Sequence, residues 1–174
     1  AMIPARYSAS RFPGKLMKDL AGKPVILRTY EAALHTNLFD EVYVVTDSDS
    51  IFKTIESANG KVIMSKKEHE CGSDRIAEAV IDLDVDVVIN VQGDEPFIDA
   101  ISLSKLIDAF KNDTDKEIDL ASLKVQITNK EDIENPNNVK VITDVNDLAI
   151  YFSRSVGIDT PEDLEKAINH LKNV

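Results

Sequence analysis

Short apolar runs separated by amphipathic stretches predict alternating strands and helices in the first half of the chain. The β-branched runs are 42–46, 61–64 and 85–91, and a shorter apolar run, 1–3, stops at Pro4. Stretches around 25–34, 51–55 and 76–83 place apolar residues three and four apart, which is the spacing of one helix face. The order β-loop-α-β-α-β predicts an α/β fold with a doubly wound, mostly parallel, Rossmann-like sheet.

The second half of the chain is predicted to be richer in strands. A helix is expected over 101–110, an alternating strand over 119–127, and a hairpin with strands 139–143 and 148–152 around the turn 144–147. Run 85–91 is the most continuously apolar, which is typical of a central strand buried on both faces. Thr160 before Pro161 is typical of a helix start. We therefore expect one domain over 1–174, with a small β-rich insertion.

Composition narrows the classes of partner. Acidic residues outnumber basic ones by 31 to 20, giving a net charge of −11, which disfavours binding to nucleic acid or an anionic membrane. The single cysteine, Cys71, cannot form an internal disulfide. No apolar run has the length of a membrane span, and no signal-peptide pattern opens the sequence. A cytoplasmic protein is expected, in which a cationic loop or a metal meets any anionic ligand.

A cationic loop follows the first predicted strand. Arg6, Arg11 and Lys15 are separated by small residues, among them Ala5 and Gly14. Small residues let a backbone approach a ligand closely, and main-chain N–H groups with fixed cations are a common way to hold phosphates. The two interpretations that remain open are a triphosphate-binding loop and an exposed basic loop.

The end of run 85–91 carries a candidate metal ligand, Asp94. In open α/β sheets ligands bind at the carboxyl ends of strands, so Asp94 is placed to hold a hard cation such as Mg²⁺. Gly93 beside it allows close approach. The alternative is that Asp94 only caps the helix predicted over 101–110.

A polar loop around Gly72 leads into the third predicted helix, with Ser73 or Asp74 as its cap. A helix start beside glycine suits a polar ligand, although an ordinary capped loop explains it too. A zinc site on His69 and Cys71 lacks a further histidine or cysteine nearby, and Cys71 has no evident base that would make it a nucleophile. No Gly-x-Gly-x-x-Gly follows the first strand, which argues against a dehydrogenase-type dinucleotide site.

Five segments in order resemble one family. They are IPARYSASRFPGK at 3–15, HECGSDR at 69–75, VINVQGDEP at 88–96, NPNNVKVITD with YFSR at 135–144 and 151–154, and GIDTPEDLEKA at 157–167. Together they closely resemble the 3-deoxy-manno-octulosonate cytidylyltransferases, or CMP-Kdo synthetases. The resemblance covers nearly the whole chain, and no single segment would suffice for it.

The resemblance implies transfer of CMP from CTP to the anomeric hydroxyl of the sugar acid Kdo, with release of pyrophosphate. It implies Mg²⁺ as cofactor, a homodimer, and a role in lipopolysaccharide biosynthesis. Catalytic roles are implied for Arg6, Lys15, Asp94 and Asp159, with the two aspartates holding Mg²⁺. Nucleotide contacts are implied for Pro4, Ala5, Arg6, Lys15, Cys71, Gly72, Ser73, Arg75 and Gln92, with Arg11 as a secondary phosphate contact. Sugar contacts are implied for Gln92, Lys140 and Arg154.

The sequence departs from the family pattern in two places. Cys71 and Ser73 stand where Ser and Thr of a Ser-Gly-Thr loop are expected, which puts a hydroxyl contact at Cys71 in doubt. Family members also carry many more residues, including sugar-binding and dimer-forming ones, between the positions of Ser155 and Val156. A lid or dimer segment is therefore expected to be missing at that junction, and this explanation is favoured over a natural deletion.

Two rival functions remain. A CMP-sialic acid synthetase or another sugar nucleotidyltransferase would share the fold, although PGK at 13–15 and the GIDTPEDLEKA segment favour the Kdo enzyme. A non-catalytic nucleotide-binding module belongs to a different class, and the missing segment makes it credible. Turnover with a panel of sugar acids separates these possibilities.

Overall fold

The computed structural model describes residues 1–8 and 12–154. The chain divides into two compact units, 1–121 and 122–174, and each is described by itself. Arg11, the junction after Arg154, Asp159 and the helix expected after Thr160 lie outside the described residues.

The described elements are short, and over 25–80 helices and strands alternate as the apolar pattern predicts. The strands are β1 (Met2–Ala5), β2 (Asp19–Leu20), β3 (Lys23–Pro24), β4 (Tyr43–Thr46), β5 (Val62–Met64), β6 (Lys140–Thr143) and β7 (Ala149–Ser153). The helices are α1 (Val25–His35), α2 (Asp49–Ser57), α3 (Gly72–Val80), α4 (Ala100–Asn112) and α5 (Lys130–Glu134). A 3-10 turn, Lys15–Met17, precedes β2. No helix among the described residues is long and apolar enough to span a membrane.

The first unit is built on a parallel sheet in which β4 lies between β1 and β5. On its other edge β1 meets the segment around Asn90, where Met2 donates to the Ile89 carbonyl at 2.9 Å and accepts from the Val91 N–H at 3.0 Å. The chain therefore adds β4 and β5 on one side of β1 and returns to its other side with 89–91. This reversal is the mark of a doubly wound sheet, and the predicted fold class is confirmed.

Alternate residues of the strands point to two separate cores. Ile3 and Val44 face the cluster formed with α1 and α2, which includes Ile26, Ile51 and Ile55. Their neighbours Met2 and Val45 face the opposite side and pack against Ile76 of α3. Helices therefore cover both faces of the sheet, which explains why its strands carry apolar residues at successive positions.

Pro4 does not end the first strand as predicted but lies inside β1, opposite Val45 of β4. Proline lacks an N–H, so it fits a strand only where no hydrogen bond is needed from that position. Met2 faces the segment 89–91, and Pro4 faces the same side because strand residues two apart share a direction. The bridge to that segment is at Met2, so the missing N–H of Pro4 interrupts no described ladder.

The prediction of a central strand over 85–91, buried on both faces, is wrong for most of its length. Only an isolated bridge at Asn90 forms within it, and Val85 and Val87 are 48% and 41% exposed. Ile89 and Val91 are buried where the segment runs beside β1. A continuous apolar run identifies residues that can be buried, but the number that become buried depends on which neighbouring elements pack against them.

The strand predicted over 119–127 is also absent, since no regular element lies between α4 and α5. The described part of the second unit holds α5 and the predicted hairpin, in which β6 and β7 pair antiparallel with Lys140 opposite Ser153. The third helix begins two to three residues earlier than expected, because its N-cap is Cys71 and not Ser73 or Asp74, and no side-chain hydrogen bond caps it.

Candidate functional site

A cavity of about 460 Å³ lies at the carboxyl ends of β1 and of the segment 89–91. This is the point where the strand order reverses, which is where open α/β sheets bind ligands. Three loops surround it, one after β1, one before α3 and one after Val91. Its lining consists of Pro4, Ala5, Arg6, Phe12, Lys15, Leu16, His69, Glu70, Cys71, Gly72, Arg75, Gln92, Gly93 and Asp94.

Glycines let two of these loops approach the end of β1 closely. A Cβ built on Gly93 would lie 3.1 Å from the Pro4 carbonyl oxygen, and one on Gly72 would lie 3.1 Å from Pro4 Cγ. Most side chains would therefore force the loops away from Pro4. The glycines fix the width of the cavity as well as its backbone path.

The cationic loop and Asp94 meet across the cavity. Lys15 Nζ forms an ion pair with Asp94 Oδ2, and the two side chains are 38% and 43% exposed. Asp94 does not cap the following helix, because the cap of α4 is Asp99, whose Oδ1 accepts the Ser102 N–H at 2.8 Å. Hydrogen bonds from Ser102 lower the pKa of Asp99. The capping interpretation of Asp94 is therefore wrong.

The loop that carries Asp94 is held from behind by Thr29 of α1. This fully buried side chain donates from Oγ1 to the Gly93 carbonyl at 2.9 Å. The same hydroxyl oxygen lies 3.2 Å from the Val25 carbonyl. Because its partner is the residue next to Asp94, the contact fixes the backbone from which the carboxylate extends.

Arg75 lines the cavity, but its guanidinium is engaged within the protein. The residue is 3% exposed, and its Nη2 donates to Asp47 Oδ2 at 2.6 Å while Nη1 donates to Ser65 Oγ at 3.1 Å. Asp47 follows β4 and Ser65 follows β5, so Arg75 joins the ends of both strands to α3. These contacts favour a role in holding the wall of the cavity over a direct phosphate contact.

Asp94 is chemically suited to Mg²⁺, which prefers oxygen ligands and usually takes one or two protein carboxylates together with substrate phosphates. Within 1–8 and 12–154 there is no group of three or more His, Cys, Asp or Glu side chains that could hold a metal without a substrate. His69, which was considered with Cys71 as a zinc ligand, places its Nε2 3.0 Å from Glu78 Oε2.

Residues 1–172 match the family model described as cytidylyltransferase. The chain is 61% identical over 174 residues to a 3-deoxy-manno-octulosonate cytidylyltransferase of Flavobacterium johnsoniae, a match that covers 100% of this chain and 71% of the relative. This chain belongs to the 3-deoxy-manno-octulosonate cytidylyltransferase family. The assignment rests on a match along the full chain and confirms the resemblance seen in the five sequence segments.

Two further matches describe the range of this cytidylyltransferase family. An 8-amino-3,8-dideoxy-manno-octulosonate cytidylyltransferase of Shewanella putrefaciens is 45% identical over 157 residues, covering 88% of this chain and 64% of the relative. A solved CMP:2-keto-3-deoxy-manno-octonic acid synthetase complexed with CTP is 35% identical with a TM-score of 0.78, covering 95% of this chain and 67% of that one. The chain thus spans 64 to 71% of the length of these proteins.

The structure gathers most of the predicted nucleotide-binding residues of this cytidylyltransferase around one cavity. The residues that line it are Pro4, Ala5, Arg6, Lys15, Cys71, Gly72, Arg75 and Gln92, and the predicted metal ligand Asp94 lines it too. Ser73 lies in the first turn of α3 and does not. Sequence reasoning did not assign Phe12, Leu16, His69 or Glu70 to the site, although His69 stands only two residues before Cys71.

The predicted sugar-binding residues Lys140 and Arg154 lie in the second unit. Lys140 is 8% exposed, and its ammonium donates to the Asn135 carbonyl at 3.0 Å and to the Arg154 carbonyl at 2.8 Å. It therefore ties the start of β6 to the end of β7, while the Arg154 residue is exposed. Their contact with a sugar stays a prediction, as does the metal role of Asp159 outside the described residues.

A second cavity of about 690 Å³ borders the first and shares Phe12, Lys15 and Asp94 with it. It is lined from β2, from the 3-10 turn and from the residues after Asp94, including Phe97, which is 86% exposed. The Lys15–Asp94 ion pair thus borders both cavities.

Proposed function

We propose that this protein transfers CMP from CTP to the anomeric hydroxyl of 3-deoxy-manno-octulosonate, forming CMP-Kdo and pyrophosphate. The observation that carries the proposal is the cavity of about 460 Å³ at the strand-order reversal, which Arg6 lines and where Lys15 pairs with Asp94, in a chain of this family. Cytoplasmic location, a homodimer and a role in lipopolysaccharide biosynthesis belong to the same proposal. The enzyme names of the relatives support the role in lipopolysaccharide biosynthesis, whereas the location and the homodimer are carried over as expectations from the sequence.

In the proposed reaction the acceptor oxygen forms a bond to the α-phosphorus of CTP as the bond to the pyrophosphate oxygen breaks. This chemistry needs positioning and neutralisation of charge more than a covalent nucleophile. Arg6 and Lys15 supply fixed positive charge at the triphosphate in a protein whose net charge is −11. Cys71, Gly72 and Gln92 line the same cavity and are proposed to face the cytidine.

Asp94 is proposed to hold Mg²⁺ together with the nucleotide phosphates, and Asp159 is proposed as its second protein ligand. A bound Mg²⁺ would neutralise phosphate charge and orient the phosphates. Lys15, which pairs with Asp94 here, carries a charge that is equally suited to a phosphate oxygen. Its flexible side chain can exchange one anionic partner for the other.

Both units are proposed to belong to one nucleotidyltransferase domain, because the family model extends across them over 1–172. A lid or dimer segment is proposed to be missing between Ser155 and Val156, which is supported by the shorter length of this chain relative to its relatives. Gln92, Lys140 and Arg154 are proposed as sugar contacts. An intact mass larger than that of these 174 residues would support the missing segment.

A second candidate is activation of a related sugar acid, favoured by the 45% identity to the Shewanella cytidylyltransferase for an 8-amino sugar. The test is Mg²⁺-dependent release of pyrophosphate from CTP with Kdo, its 8-amino analogue and sialic acid as separate acceptors. Release of pyrophosphate with Kdo supports the proposal. Release with only one of the other acceptors would instead identify that sugar acid as the substrate. CTP binding without release from any acceptor would leave a nucleotide-binding module.

Asp94→Asn tests the site itself, with Asp82→Asn as a matched control on a 77% exposed carboxylate that lines neither cavity. The Asp94 variant is expected to lose about a hundredfold or more in kcat, the order typical of removing one preorganised electrostatic group. The Asp82 variant should retain normal turnover. Normal turnover in the Asp94 variant would exclude it as the metal-holding carboxylate.

A further inference from the structure

The loop between β5 and α3 forms one side of the switch-point cavity. Residues 69–72 of this loop and helix start all line the cavity. The part of the loop before them, Lys66 to Glu68, is exposed and does not line it. The position of residues 69–72 beside the proposed nucleotide therefore depends on contacts that hold this surface loop in place.

Glu78 of α3 contacts this loop at two points. Its Oε1 accepts the backbone N–H of Lys66 at 2.6 Å, and its Oε2 accepts from His69 Nε2 at 3.0 Å. The two oxygens of one carboxylate thus join the start and the middle of the loop to the helix that follows. The backbone hydrogen bond from Lys66, followed by the contact with His69, lowers the pKa of Glu78.

The pair is shielded from water although it lies beside a surface loop. The side chain of His69 is 5% exposed and that of Glu78 is 14% exposed. A hydrogen bond to a carboxylate is stronger where water is excluded, and leaving either partner alone in such a place is costly. In this arrangement the Nε2 atom of His69 is engaged by Glu78.

We propose that His69 is a positioning residue that, through Glu78, sets the nucleotide-facing side of the cavity formed by Glu70, Cys71 and Gly72. The inference rests on the proposed function, because the ligand it positions the loop for is the cytidine part of CTP. His69 acts on affinity through the path of the backbone. It contributes no group to the transfer of the phosphoryl unit.

Three histidine variants test this inference. His69→Leu removes the donor at similar size, whereas His69→Gln retains an N–H about where Nε2 stands. His35→Leu is the control, since His35 is exposed at the end of α1 and lines neither cavity. The readouts are the CTP dissociation constant by calorimetry and amide hydrogen exchange of the ligand-free protein over 66–72.

His69→Leu is expected to weaken CTP binding about tenfold or more and to accelerate exchange over 66–72, as loss of a hydrogen bond to a charged group predicts. His69→Gln should remain within about threefold of the parent affinity, on the same reasoning, because its donor is retained. His35→Leu should change neither readout. If His69→Leu does not fold, Glu78→Gln provides the test, because it keeps an acceptor for Lys66 and loses the charge that faces His69.

Unchanged CTP affinity in a folded His69→Leu or Glu78→Gln protein would overturn the inference, even with faster exchange, because the pair would then stabilise the loop without positioning the ligand. Equal weakening in His69→Leu and His69→Gln would overturn it too, since the hydrogen bond would not be the cause. Failure of the unsubstituted protein to bind CTP would overturn the proposed function and this inference together.

Discussion

The ion pair between Arg75 and Asp47 predicts an unequal response to removal of its two partners. Arg75 is 3% exposed, whereas the Asp47 side chain is 28% exposed. Asp47→Ala leaves a buried guanidinium with Ser65 as its one remaining described partner. Arg75→Met leaves a carboxylate that water can reach, and the methionine retains part of the packing.

The magnitudes follow from this difference in burial. Loss of one partner of a buried pair costs about 3–5 kcal/mol when the remaining charge stays buried, so Asp47→Ala belongs near that range. Arg75→Met should cost about 1–2 kcal/mol, close to the value of a charge-assisted hydrogen bond at a partly exposed acceptor. The double variant should be more stable than Asp47→Ala alone, because it no longer buries an unpaired cation.

The assay is urea unfolding followed by far-UV circular dichroism, since the chain contains no tryptophan for fluorescence. Asp82→Ala serves as control, because its ion pair with Lys66 is 77% exposed on both sides and should contribute nothing measurable. Equal destabilisation by Asp47→Ala and Arg75→Met, the reverse order, or simple additivity in the double variant would refute the reasoning.

Two further predictions concern glycine packing and helix capping. Gly93→Ala should lower stability by about 1–3 kcal/mol and should also lower CTP affinity, because its Cβ would crowd the Pro4 carbonyl at 3.1 Å. The control is Gly60→Ala, whose Cβ would lie 2.7 Å from Ile55 Cγ2 but which does not line the cavity, so it should lower stability alone. Equal CTP affinities in the two variants would contradict the prediction. Asp99→Ala should destabilise α4 by a constant amount from pH 7 to 5, and its difference from the parent should shrink below about pH 4. The sign follows from the lowered pKa of Asp99, because its stabilising contribution is present above the unfolded-state pKa and is lost as the pH falls through the folded-state pKa. The measurement is the urea midpoint of the parent and of the variant at each pH. If the difference between the two midpoints is unchanged at pH 3, the carboxylate charge is not involved.

The local sequence pattern was sufficient to predict the elements whose partners lie close by along the chain. The hairpin of β6 and β7 was predicted from alternation and a turn rich in Asp and Asn, and its two strands are neighbours along the chain. The succession of β1, β4 and β5 along the chain follows from short apolar runs separated by amphipathic helices. In these cases the residues that pair lie close in sequence or are joined by one helix.

Predictions failed where a distant segment decides the outcome. Leu120 and Val125 belong to an alternating stretch, yet they are 89% and 86% exposed and no described strand pairs with them. A strand requires a partner edge, and no periodicity within the stretch reveals whether one is available. At Pro4 the error has the opposite sign, because a strand was predicted to end where it continues. Proline disfavours a strand, but no described strand takes a hydrogen bond from this position.

The charged residues of the candidate site could be proposed from the sequence, but the buried residues that hold its loops in place could not. Arg6, Lys15 and Asp94 were recognisable as candidates because cations after a first strand and an acid after an apolar run suit a phosphate or a metal, although ordinary explanations also existed. The buried hydroxyl of Thr29, whose partner Gly93 lies 64 residues away, leaves no local signal. His69 was visible as a residue type, but its partner Glu78 identifies its role only once the helix is in place.

Direct contacts and supporting contacts should therefore respond differently to salt. Arg6 lies exposed at the cavity, so its attraction to a phosphate is screened, and the loss of CTP affinity in Arg6→Ala should diminish as ionic strength rises. Thr29 and His69 form hydrogen bonds inside the protein, where screening is weak. The loss of affinity in Thr29→Val or His69→Leu should then persist at high salt. Because both classes of residue surround one cavity, this difference separates charge neutralisation from backbone positioning within a single binding measurement.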